Sequence, residues 1–161
     1  MFKNFNLLFL TFFNIGRIKF ASGTFASFFT CLLFLLLINF IEIKTIFLLN
    51  LLIFAYSFIA INNTYGVFKS DDPHEIVIDE VVGQMLALLA IPIYETLYPT
   101  HIFYYCIYSF FLFRLFDIWK PFPVNYVDEN LKGALGIMLD DILAAIYSIT
   151  SLVIILYFLG G

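Results

Sequence analysis

Charge is what this chain has least of. Only 12% of its 161 residues are Asp, Glu, Lys or Arg, and 63% are hydrophobic. A soluble domain is roughly a quarter charged and about half apolar. The mean hydropathy is +0.99, so lipid is expected to be part of the solvent. Basic clusters are missing and the formal net charge is −4, which argues against a nucleic-acid binder. The two cysteines, Cys31 and Cys106, both lie inside apolar runs. Neither stands at a metal-ligand spacing, and both read as buried free thiols. No Ser/Pro/Gly-rich linker and no internal repeat divides the chain, so one membrane-embedded domain over residues 1–161 is expected.

Several catalytic signatures are absent as well. No glycine-rich loop ends in GK[ST], so there is no P-loop. There is no GxSxG elbow. Cys106 and Arg114 are too far apart for a Cys-based phosphatase loop. The DxDxT pattern of aspartate nucleophiles, the DGxxAR opening of lipid phosphotransferases and the His-dependent lipid phosphatase signature are missing too. His74 sits in a polar turn and His101 at the far side of the predicted topology, and both read as structural.

What is there is a series of apolar runs. A spanning helix needs about 20 mainly apolar residues. Runs near that length cover about Thr24–Phe40, Thr45–Ile61, Val81–Tyr98, Ile102–Trp119 and Asp141–Leu159. Pro92 interrupts the third, which also carries Glu95. The N-terminal MFKNFNLLFLTFF has no clear small-residue cleavage site after it and reads as a retained helix lying at the membrane surface or packed on the domain. The fold class expected is all-α: an integral membrane bundle of about five embedded helices plus an N-terminal interfacial helix. Five spans place the N-terminus, residues 62–80 and residues 120–140 on one side. That side holds Lys3, Arg17, Lys19, Lys69, Lys120 and Lys132, and the other holds Lys44. The positive-inside rule makes the first side cytoplasmic.

The acids gather on that side. DDPHEIVIDE holds Asp71, Asp72, Glu75, Asp79 and Glu80; FRLFDIWKPFP holds Arg114, Asp117 and Lys120; GIMLDDILAAIY holds Asp140 and Asp141. An acid at a helix N-terminus caps free N–H groups and suits the helix dipole. That explains one acid per helix start, and two adjacent acids, twice over, less well. Asp117 falls near a helix end, where a carboxylate opposes the dipole, although Arg114 could pair with it. Carboxylates crowded in one pocket need compensation, and an all-oxygen donor set favours a hard divalent ion. Acids, a metal and nearby cations (Arg114, Lys120, and Arg17 or Lys19) suit phosphoryl transfer.

These stretches also resemble a known family. ASGTFAS (21–27), DPHEIVIDEVVGQ (72–84), FRLFDIWKPFP (113–123) and KGALGIMLDDILAAIY (132–147) are similar, in order and spacing, to the phosphatidylglycerophosphatase A family of bacterial membrane enzymes. The resemblance implies Mg²⁺-dependent hydrolysis of phosphatidylglycerophosphate to phosphatidylglycerol and inorganic phosphate, in the bacterial inner membrane, with no obligatory protein partner. It implies an all-helical fold shared with soluble relatives. It points to Asp79, Glu80, Asp117, Asp140 and Asp141 as the catalytic and metal-binding centre. Ser22, Gly23, Thr24, Arg114 and Lys120 would be the phosphate neighbours. Rival expectations are a transporter with an acidic ion or proton pathway, a metal-dependent lipid phosphotransferase, and an assembly protein with capped helix ends.

Overall fold

The computed structural model describes residues 2–64 and 74–160, and among these every regular element is a helix. In chain order they are α1 (Phe2–Leu10), a 3₁₀ turn (Ile15–Arg17), α2 (Ser22–Leu37), α3 (Ile43–Asn63), α4 (Ile78–Leu88), α5 (Ile91–Leu97), α6 (Ile102–Trp119), α7 (Val124–Asn130) and α8 (Ala134–Gly160). Asp71, Asp72 and Lys69 lie outside the described residues.

Local chemistry accounts for the boundaries. Pro92 sits in the first turn of α5, where its missing N–H costs nothing, and the apolar run therefore breaks into α4 and α5. At the start of α6 the Phe103 N–H donates to His101 Nδ1 at 3.3 Å, so His101 is a cap. α6 stops where Lys120 turns into the left-handed region at φ 47° and Pro121 follows.

Four stretches are long and apolar enough to cross a membrane: Ile43–Asn63, Ile78–Leu97, Ile102–Trp119 and Ala134–Gly160. At 1.5 Å per residue, α6 with its 18 residues is about 27 Å long, close to the roughly 30 Å of a hydrocarbon core. α2 is a fifth, shorter apolar helix of 16 residues. One expected boundary needs correction. The last span begins at Ala134, not near Asp141, so Asp140 and Asp141 lie more than a turn inside α8 and cannot cap it.

α4 and α5 form the enclosed element. Of the most apolar window of Ile78–Leu97, 56% is buried, against 28% for Ile43–Asn63 and 22% for Ile102–Trp119. α4 packs against α2, α3, α6 and α8, and α6 packs along α8. Large side chains on the outer helices point away from the bundle, including Phe28 and Leu32 on α2, Phe47 and Leu51 on α3, and Phe111 and Leu115 on α6. Such contiguous apolar faces belong in lipid. Between helices, small and polar residues set the spacing. Ser148 Oγ donates to the Ser109 carbonyl at 3.3 Å, joining α8 to α6, and Asn50 Nδ2 donates to the Val82 carbonyl at 3.2 Å, joining α3 to α4. The N-terminal helix lies on α3, where Tyr56 donates to the buried Asn6 side chain at 2.8 Å.

Candidate active site

The packing brings the starts of α2, α4 and α8 and the end of α6 to one end of the bundle. Ser22 and Gly23 open α2, Asp79 and Glu80 stand in the first turn of α4, and Arg114, Asp117 and Lys120 close α6. Asp140 and Asp141 come from α8. A cavity of about 350 Å³ opens among them and includes Asp79, Glu80, Asp117, Lys120, Asp140 and Asp141 in its wall.

Three of the acids form its centre. One carboxylate oxygen from each of Asp79, Glu80 and Asp141 lies within 4.8 Å of the others. Asp79 Oδ1, Glu80 Oε2 and Asp141 Oδ2 are buried and have no hydrogen-bond partner among the described residues. A buried carboxylate oxygen without a partner is costly. An oxygen-loving divalent cation such as Mg²⁺ would supply the missing partner to all three, so the donor set fits such an ion.

The remaining two acids are engaged with cations. Successive residues on a helix point about 100° apart, and Asp140 and Asp141 diverge accordingly. Asp141 turns into the trio, while Asp140 Oδ2 accepts from Lys120 Nζ at 2.8 Å. Lys120 Nζ also donates to Asp128 Oδ1 at 2.6 Å. Burial of Lys120 favours its neutral form, but its hydrogen bonds to Asp128 and Asp140 outweigh that and hold its pKa well above the usual lysine value. It therefore keeps its charge throughout the neutral and mildly alkaline range. Asp117 Oδ2 lies 2.5 Å from Arg114 Nη1, one turn away on α6, and the same nitrogen stands 3.8 Å from Glu80 Oε1. Arg114 thus ties the end of α6 to the start of α4.

Gly23 leaves room for these groups to meet. A Cβ there would fall 1.9 Å from Glu80 Oε1 and 3.1 Å from Arg114 Nη1. Ser22 Oγ donates to the His74 carbonyl at 3.2 Å and lines the cavity, whereas Thr24 lines neither this cavity nor the larger one beside it. Arg114 and Gly23 belong to that larger neighbour. Asp128 and Lys132 also line the acidic cavity and escaped the sequence reasoning. Lys132 stood inside a recognised motif and could have been found, but Asp128 is placed only by the fold of α7 against α8. Glu95, the one acid expected at midplane depth, is exposed on α5. The end of α5 meets Gly160 at the far end of α8, away from the other acids.

Fold and site together define a helical membrane protein with a carboxylate-centred polar cavity at one end of its bundle. The sequence matches the family Phosphatidylglycerophosphatase A over residues 8–156, and the chain belongs to that family. A Haemophilus influenzae protein named Phosphatidylglycerophosphatase A is 35% identical over 91% of this chain and 86% of its own length. The Escherichia coli protein of the same name is 38% identical over 55% of this chain and 45% of its own. A Bacteroides thetaiotaomicron protein, provisionally named phosphatidylinositol-3-phosphatase, is 41% identical over 56% of this chain and 53% of its own. No solved structure matches the chain.

Proposed function

We propose that this chain hydrolyses phosphatidylglycerophosphate to phosphatidylglycerol and inorganic phosphate, with Mg²⁺ held by Asp79, Glu80 and Asp141. The observation that carries the reading is the trio of buried, unpartnered carboxylate oxygens in one cavity with Lys120 and Lys132. Family membership and the relatives' names supply the substrate. The excess of Lys and Arg on the side of the acids supports an active site open to the cytoplasmic leaflet of the bacterial inner membrane. The reaction would be the closing step in making phosphatidylglycerol.

When bound, Mg²⁺ supplies Lewis-acid neutralisation of the phosphoryl oxygens. The chain's own residues do the rest. Lys120, clamped between Asp128 and Asp140, presents a fixed positive charge to the terminal phosphate and orients it. Its raised pKa suits it to holding an anion and not to giving up a proton. Lys132 adds a second charge at the same wall. Arg114, held by Asp117, fixes Glu80. A water attacks phosphorus in line and passes its proton to a carboxylate oxygen of the trio. As the bond from phosphorus to the glycerol oxygen breaks on the opposite face, that oxygen takes a proton from solvent, and the carboxylate returns its own to water. The lack of DxDxT supports direct attack by water over an aspartyl-phosphate.

The test is release of phosphate and formation of phosphatidylglycerol in detergent micelles, with Mg²⁺ or with excess chelator, alongside Asp141→Asn. Activity is expected only with the ion and the native carboxylate. A full rate in chelator, or an undiminished variant, would overturn the metal-carboxylate reading. Capture of a labelled phosphoenzyme would replace the direct-water route.

A further inference from the structure

Beside the acidic cavity lies a second one of about 830 Å³, and its charge is of the opposite kind. Its cations are Arg17, Lys19 and Arg114, set against Glu75 and Glu80. The two cavities share Ser22, His74 and Glu80 as a common wall. Glu80 faces both ways: Oε1 stands toward Arg114 and Oε2 is buried without a partner.

The basic segment is held in place. Gly16 packs so closely that a Cβ would fall 1.9 Å from the Glu75 carbonyl oxygen. The Val77 N–H donates to the Leu10 carbonyl at 3.0 Å. Asn14 and Ala21, on either side of the segment, both take left-handed backbone angles, φ 72° and 51°. α2 then begins with no side-chain cap, so its first N–H groups and the positive end of its dipole are open to an anion. The same segment also carries exposed apolar side chains. Ile18 and Phe20 alternate with the two cations, and Phe20 is 82% exposed. Trp119 and Phe122 are exposed at the same end of the bundle, beside Lys120. Cations interleaved with exposed aromatic and aliphatic side chains fit a lipid surface at headgroup level.

We propose that this second cavity binds the phosphodiester of the lipid, while the acidic cavity takes the terminal phosphomonoester. The assignment rests on the activity proposed above. Phosphatidylglycerophosphate carries two phosphates joined by one glycerol unit. One is attached to the acyl-bearing part and must stay near the lipid surface, and the other is the group removed. Two adjoining anion sites, one rimmed by exposed apolar side chains and one lined by the acidic trio, match that order. Arg17 and Lys19 are then specificity residues: they select a lipid bearing a diester over a simple phosphomonoester. The product keeps the diester and would leave the site slowly.

The test uses the full chain in detergent micelles and the double variant Arg17→Ala/Lys19→Ala. A control, Lys3→Ala/Lys44→Ala, removes two charges elsewhere. Kinetics are measured on phosphatidylglycerophosphate and on glycerol 3-phosphate, which has no diester. Equilibrium binding is measured for phosphatidylglycerol, which has no monoester, and for inorganic phosphate. The double variant is expected to raise KM for the lipid and Kd for phosphatidylglycerol on the order of tenfold or more. Its values with glycerol 3-phosphate and inorganic phosphate should not change, and Arg17→Lys/Lys19→Arg should restore lipid binding. Unchanged phosphatidylglycerol binding, an equal loss on both substrates, or an equal loss in the control would overturn the proposal. If the wild-type chain hydrolysed neither substrate, the proposed activity would fall, and the phosphatidylglycerol arm would still decide what the cavity binds.

Discussion

Replacing Asp141 with Asn should make the metal-free protein more stable and the enzyme nearly inactive. Asn keeps the shape of the side chain and removes its charge. Asp141 shares the trio with Asp79 and Glu80, with oxygens within 4.8 Å of one another. At an effective dielectric of about 20, two unit charges at that distance repel by between about 3 and 4 kcal/mol. Asp141 has two such neighbours. Part of this is relieved in the free protein by protons and water, so a net gain of about 1–2 kcal/mol is expected. For a chain of this size, that is a rise in melting temperature of about 2–8 °C. Differential scanning calorimetry in detergent, with chelator and with Mg²⁺, measures it. In chelator the variant should melt above the wild type. With Mg²⁺ the wild type should gain stability by mass action, and the variant should gain much less. Phosphate release should fall by about a hundredfold or more. A variant that melted lower in chelator and still gained the full increment from Mg²⁺ would refute a shared cation site.

Other perturbations separate the remaining parts. Arg114→Ala leaves Asp117 and Glu80 as mostly buried, unpaired charges and should cost about 3 kcal/mol in chemical denaturation. A loss under 1 kcal/mol would show that the pairing is unimportant. Gly23→Ala places a methyl group 1.9 Å from Glu80 Oε1; activity should fall at least about tenfold with little change in melting temperature, and a normal rate would show that Glu80 can move aside freely. Asp128→Asn removes one of the two partners of Lys120 at a site open to water, so stability should change by no more than about 0.5 kcal/mol while KM rises a few-fold. Glu95→Gln should leave phosphate release unchanged, and a large loss would revive a proton pathway through α5.

Much of the architecture was written in one dimension. Apolar runs of spanning length demand helices in lipid, because every backbone polar group must find its partner within its own segment. Pro92, Pro121 and His101 mark ends through chemistry local to them. The composition of the acidic site was equally legible, since a charge in a greasy chain stands out against its cost. α8 was misplaced for a physical reason. Residues 120–140 read as one polar stretch, yet Ala134, Ile137 and Met138 are buried, and that packing carries the helix back to Ala134.

The sequence by itself thus determined that this is a helical membrane protein with most of its acids and several cations at one side, and it carried the family likeness. Only the tertiary structure decided how the acids divide. Asp140 and Asp141 are neighbours in sequence, yet one is paired with Lys120 and the other joins Asp79 and Glu80 from α4. The same packing set Arg17 and Lys19 beside Arg114 in a cavity of their own. Which charge meets which depends on helix rotation and on contacts far apart in the chain. Helix rotation is fixed by Gly83, Ser109, Ala144 and Ser148 at the contacts among α4, α6 and α8, and no local pattern of residues encodes it.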